Sequence, residues 1–178
     1  MEQKKYMKNN SLHKDKVTVV TVTYNAEELL EETILSVINQ SYDNIEYIII
    51  DGGSTDGTID IIKKYEDHID YWISEPDEGI YFAMNKAIEK ATGKWINFMN
   101  AGDTFFDLDT VAYVMRSKDQ NSQLLYGNCQ IGSRVKKPHD ISGYNNLTSI
   151  CHQTLFAKTN LMKKSPFNTK YKISADHD

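Results

Sequence analysis

Four short apolar runs, each closed by a polar turn and each followed by a segment of helical character, limit what this chain can fold into. Val17–Thr23 (VTVVTVT) is β-branched throughout and reads as a buried strand. Ile45–Ile50, Ile69–Ser74 and Lys94–Met99 repeat the signal. Asn25 followed three residues later by Glu28 resembles a capping box, so a helix is expected from there to about Asn39, with Leu30, Ile34, Val37 and Ile38 on one face. A short helix after Gly57 turns Ile59 and Ile62 inward. A third places Ile80, Ala83, Met84, Ala87, Ile88 and Ala91 on one stripe and stops at Thr92-Gly93, with the glycine at the residue beyond the cap. Beyond these, a helix over Leu108–Lys118, a strand over Leu124–Ile131, and a strand over Gln153–Ala157 followed by a short helix are expected. Strand and helix alternating at this spacing mean βαβ units: an α/β fold with a Rossmann-like, mostly parallel sheet and helices on both faces.

The 178 residues suit one domain and suffice for a core without disulfide staples. Residues 1–16 are polar, Lys-rich and aperiodic, and read as a disordered basic tail ahead of a domain over 17–178. They hold no apolar h-region, so they are not a secretory signal, and no apolar run approaches the ~18 residues of a membrane span. Cys129 and Cys151 lack a CxxC spacing, which argues against a disulfide framework or zinc site and fits a reducing cytoplasm. The net charge of −5 is segregated. Residues 17–133 carry seven Lys/Arg against twenty Asp/Glu, whereas residues 134–178 carry eight against three. An acidic body disfavours nucleic acid as a partner. The basic ends are either solvated faces or peripheral contacts for an anionic membrane surface. Oligomeric state is not specified.

Ligands of open α/β sheets sit at the carboxyl ends of the strands. There the chain offers Thr23-Tyr24-Asn25, then Asp51 with a glycine-rich loop through Gly57, then Glu75, Asp77 and Glu78, then Asn100 and Asp103. No GxGxxG follows the first strand, no P-loop exists, and the Asp51 loop fails the register of a calcium loop. Phosphates in so acidic a cleft would need a divalent metal on oxygen ligands such as Asp103.

Seven segments occur in order: VTVVTVTYN (17–25), IIIDGGSTDGT (48–58), DEGIYFAMN (77–85), GKWINFMNAGD (93–103), LYGN (125–128), His152-Gln153 and SADHD (174–178). Together they resemble the family 2 glycosyltransferases of GT-A fold, the bacterial type that builds cell-surface polysaccharides. The resemblance implies an inverting, metal-dependent transfer of a sugar from a nucleotide-diphosphate donor, UDP favoured, to a glycan or lipid-linked acceptor. It implies a nucleotide site from Thr23, Tyr24, Asn25, Asp51, Ser54, Asp77, Asn85 and Asn100. Asp103 would hold Mn²⁺ or Mg²⁺, and Asp176 would be the catalytic base, with Asp178 a rival. His152 is read equally as an acceptor-site group or a core histidine. Two departures stand out. The metal motif is Asn100-Ala-Gly-Asp103 with one carboxylate, and Met84 stands where many members carry Arg. Members usually continue past this point, so the domain is expected to be truncated on its acceptor side. The location implied is cytoplasmic, at the inner face of the plasma membrane. The alternative is a non-catalytic module that binds a nucleotide sugar.

Overall fold

The computed structural model describes residues 14–137 and 151–170. Strands β1 (Val17–Thr23), β2 (Ile45–Asp51), β3 (Tyr71–Ser74) and β4 (Trp95–Phe98) form a parallel sheet in the order β3-β2-β1-β4. Between them run helices α1 (Leu30–Ile38), α2 (Thr58–Lys64) and α3 (Ile80–Lys90). After β4 come α4 (Thr110–Ser117), β5 (Leu124–Leu125), a β6 (Cys129–Ile131) and β7 (Arg134–Lys136) hairpin, β8 (Phe156–Lys158) and α5 (Thr159–Lys164). β8 inserts between β4 and β5, antiparallel to both, and completes six strands.

All seven β1 residues are buried, because the strand lies in the middle of the sheet with helices on either side. Its alternation divides the core. Val17 and Val19 pack with Leu30, Ile34, Ile62, Val111 and Met115, from α1, α2 and α4. Val20 and Val22 pack on the opposite face with Tyr81, Met84, Ala87 and Ile88 of α3. The expected α/β architecture, mostly parallel with helices on both faces, is therefore present. In-register pairing runs from Val17–Ile45 to Thr23–Asp51, so β1 and β2 end level with each other. The chain leaves β1 for β2 and β3 on one side and returns to β4 on the other. That places the topological switch point, and the crevice it opens, at the ends of β1 and β4.

Several local expectations are corrected. Helix α1 starts at Leu30 with no side-chain cap. Asn25 instead adopts a left-handed φ of 46° and its Oδ1 accepts from Thr55 N–H at 2.9 Å, so it bridges two loops rather than capping a helix. Ile80 is half exposed at the first helical position of α3. The expected strand over 124–131 is broken into two short pieces. Gly93 is not left-handed: a Cβ there would lie 2.6 Å from Thr18 N, so the glycine serves close backbone approach. Lys14, Asp15 and Lys16, read as tail, are tied down. Asp15 accepts from Lys94 at 2.9 Å, from Lys118 and from Trp95 Nε1, while Tyr42 OH donates to its carbonyl at 2.7 Å.

Candidate active site

The exits of β1 and β2 are stitched into one rim. Asp51 is fully buried at the last position of β2. Its Oδ2 accepts from Gly53 N–H (2.9 Å), Ser54 N–H (2.8 Å) and Ser74 Oγ (2.6 Å), and its Oδ1 accepts from Ser54 Oγ. A buried carboxylate with this many donors organises its own loop and avoids the cost of an unpaired buried charge. Ser54 Oγ in turn receives Asn25 N–H at 2.7 Å, and Glu27 Oε2 receives Gly57 N–H at 2.7 Å. Gly52 lets the β3 exit approach: a Cβ on it would meet Asp77 Oδ2 at 3.2 Å and Tyr24 Cδ2 at 3.4 Å. Thr23, Tyr24, Asn25, Asp51, Ser54 and Asp77 are thus gathered, with Tyr24 presenting an exposed ring beside an exposed acidic loop. Thr23 Oγ1 is buried at this rim with no partner among the described residues.

The β4 exit adds the oxygen donors. Met99 N–H and Ala101 N–H donate to Val20 and Val22 carbonyls, so the Asn100–Asp103 loop is laid against the end of β1. Gly102, at φ 96°, makes the turn that brings Asp103 round. Asp103 Oδ1 accepts from Gln153 Nε2 at 2.9 Å, and its Oδ2 lies 3.7 Å from His152 Nε2. Asn100 Nδ2 sits 3.1 Å from the same His152 Nε2, and Asn100 Oδ1 is buried with no partner among the described residues. An orphaned amide oxygen beside a carboxylate fits a hard, oxygen-seeking divalent cation. Among the described residues no group of three or more His, Cys, Asp and Glu is placed to hold a metal by itself.

Asn85 is engaged away from this rim. Asn85 turns both halves of its amide to the backbone of Phe167, donating to the carbonyl and accepting from the N–H at 2.9 Å each, and so pins the segment after α5. Met84 is buried in the α3 core, which accounts for an apolar residue at that position. Asp176, Asp178 and the rest of SADHD lie outside the described residues. Gln153 belongs to the His152-Gln153 segment of the family resemblance, but no role of its own follows from the sequence. The two cysteines, unrelated by spacing, meet next to this rim. Burial and a hydrogen bond with Cys151 push the Cys129 thiol up to about 11, so it stays protonated at neutral pH.

Residues 18–171 match the family model described as glycosyl transferase family 2. A PGL/p-HBAD biosynthesis glycosyltransferase of Mycobacterium bovis is 30% identical over 170 residues, which covers 90% of this chain and 66% of the relative. A Bacillus subtilis glycosyltransferase assigned to teichuronic acid biosynthesis is 41% identical over 90 residues, covering 49% of this chain and 36% of its own length. Staphylococcus aureus TarS, solved with UDP, shares the fold with a TM-score of 0.75 at 21% identity, over 91% of this chain and 53% of that one. A Pyrobaculum calidifontis mannosyltransferase, solved with GDP-Man and Mn²⁺, superposes with a TM-score of 0.72 at 25% identity, over 93% and 51%. This chain therefore spans just under two thirds of the mycobacterial relative and about half of the solved chains.

Proposed function

The chain belongs to the family 2 glycosyl transferases, and from that premise we propose that it is an inverting, metal-dependent glycosyltransferase. It would take a sugar from a nucleotide-diphosphate donor, UDP-linked by preference, and pass it to a glycan or lipid-linked acceptor of a cell-surface polymer. The observation that carries this reading is the β4 exit at the switch point, where Asp103 and an Asn100 Oδ1 without a partner among the described residues stand on a loop hydrogen-bonded to the end of β1. The relative assigned to teichuronic acid synthesis supports the class of acceptor, and the solved chains with UDP or GDP-Man support the class of donor.

Each residue has a task in this scheme. The Asp51–Gly57 loop and Asn25, mutually hydrogen-bonded, form a rigid wall for base and ribose, and Tyr24 offers a ring face to the base. Asp77 borders the donor from the β3 side. Asp103 and Asn100 would hold Mn²⁺ or Mg²⁺. When bound, that ion supplies positive charge to a leaving diphosphate that the acidic loops alone would repel. Asp176 takes the proton of the acceptor hydroxyl as that oxygen attacks the anomeric carbon. A carboxylate suffices, because the hydroxyl becomes acidic only as the new bond forms. His152 borders the acceptor side of the same loop. The site would work at the inner face of the membrane; among the described residues no helix is long and apolar enough to cross one.

The competing reading is a module that binds the donor without transferring it. Asp176→Asn separates the two. For an enzyme, release of nucleoside diphosphate from a donor panel (UDP-GlcNAc, UDP-Glc, GDP-Man) with a crude surface-glycan acceptor should drop at least ~100-fold, as for loss of a general base, while nucleotide affinity is kept. Equal release by both proteins, or none by the parent, would favour the module.

A further inference from the structure

The structure assigns the His152-Gln153 turn a positioning role: it is a bracket that orients the two oxygen donors of the β4 exit. Gln153 reaches across 50 residues of sequence to give Asp103 Oδ1 a hydrogen bond at 2.9 Å. One carboxylate oxygen is thereby fixed and the plane of the group set, while Oδ2, 3.7 Å from His152 Nε2 and so beyond hydrogen-bond distance, is left for a cation. The neighbouring His152 does the equivalent for Asn100. With His152 Nε2 as the acceptor, the 3.1 Å contact to Nδ2 sets which way the amide faces and makes Oδ1 the atom without a partner among the described residues.

The bracket is itself held from below. Asn97, fully buried in β4, donates through Nδ2 to the carbonyls of Gln153 and Leu155 at 2.9 Å each. β8 then continues the turn into the sheet, with Phe156 opposite Asn97. The turn therefore sits on a strand rather than a free loop. Such support matters where a motif has one carboxylate in place of two or three. With fewer charges to attract the ion, orientation of the remaining donors carries more of the affinity. Outer hydrogen-bond partners of metal ligands commonly contribute ~10–100-fold in affinity.

This inference rests on the metal-dependent reading above, and the experiment tells the two apart. Mn²⁺ is titrated into the full chain in the presence of UDP, and again of GDP, with free Mn²⁺ followed by its electron paramagnetic resonance signal. Gln153→Met keeps the length and loses the donor. It should weaken Mn²⁺ uptake by ~10-fold while leaving metal-free nucleotide affinity and the thermal midpoint unchanged. Gln153→Asn, one methylene too short to reach Asp103, should weaken it similarly, and it decides the question if the Met variant fails to fold. Unaltered Mn²⁺ affinity in a folded variant would overturn the bracket alone. No Mn²⁺ uptake by the parent chain with either nucleotide would overturn the metal-dependent reading and the bracket with it.

Discussion

At the β2 exit Asp51 accepts hydrogen bonds from Gly53, Ser54 and Ser74 while wholly buried, and that residue-scale fact shapes the rim of the site. The position was legible in the sequence as a carboxylate at a strand end before a glycine loop. The partners were not, because Ser74 comes from β3 and can be placed only once the sheet order is known. Gly93 teaches the same lesson. Its place after a helical stripe suggested a left-handed cap, but the backbone of Thr18 would lie 2.6 Å from a Cβ there. Gly93→Ala should therefore cost about 1–3 kcal/mol, the range of a forced overpacking, read as a lowered midpoint in urea. Gly127→Ala, where an added Cβ meets nothing within 4 Å, should stay within about 0.5 kcal/mol. Equal effects at the two glycines would refute close approach as the reason for Gly93.

Among the elements, strands β1, β2 and β4 and helix α3 follow from period and composition, since each is a continuous apolar run or a clean stripe long enough to outweigh local competition. The failures are where tertiary contacts decide. Asn25 leaves its capping role because Thr55 N–H, from the next loop, claims its amide. The lead-in to β1 is ordered because Asp15 is clamped by Lys94, Lys118 and Trp95. Burial alone would raise the Asp15 carboxyl, but these donors outweigh it and hold it at about 2. A carboxyl depressed in the folded state adds stability above its unfolded value near 3.8 and loses it as pH falls through about 2. The clamp should therefore contribute about 1–2 kcal/mol at pH 7, after allowance for partial solvent screening. It should fade between about pH 4 and pH 2. Lys118→Met should flatten the acid limb of a stability-against-pH curve in that window; an unchanged limb would show that the clamp carries no such linkage.

For the whole molecule, the strand order β3-β2-β1-β4 is what turns scattered polar loops into one site, by bringing the β1 and β4 exits side by side. The sequence indicated this much, since alternating strands and helices imply a switch point and the polar residues cluster at strand ends. It could not indicate that β8 inserts antiparallel beside β4, because that pairing spans about sixty residues and has no periodic signature. That insertion carries Gln153 to Asp103. Under the proposed function the segregated charge also gains a meaning, since an acidic crevice would disfavour a bare diphosphate and favour one that arrives with a cation. The most direct measurement is calorimetric titration of UDP, GDP and dTDP into the full chain, with Mn²⁺ and with EDTA, on the parent and on Asp103→Asn. Binding of at least one nucleotide that is strengthened ~10-fold or more by Mn²⁺, and that loses this gain in Asp103→Asn, is the predicted result. Silence with all three nucleotides, or an affinity indifferent to Mn²⁺ and to Asp103, would contradict the account.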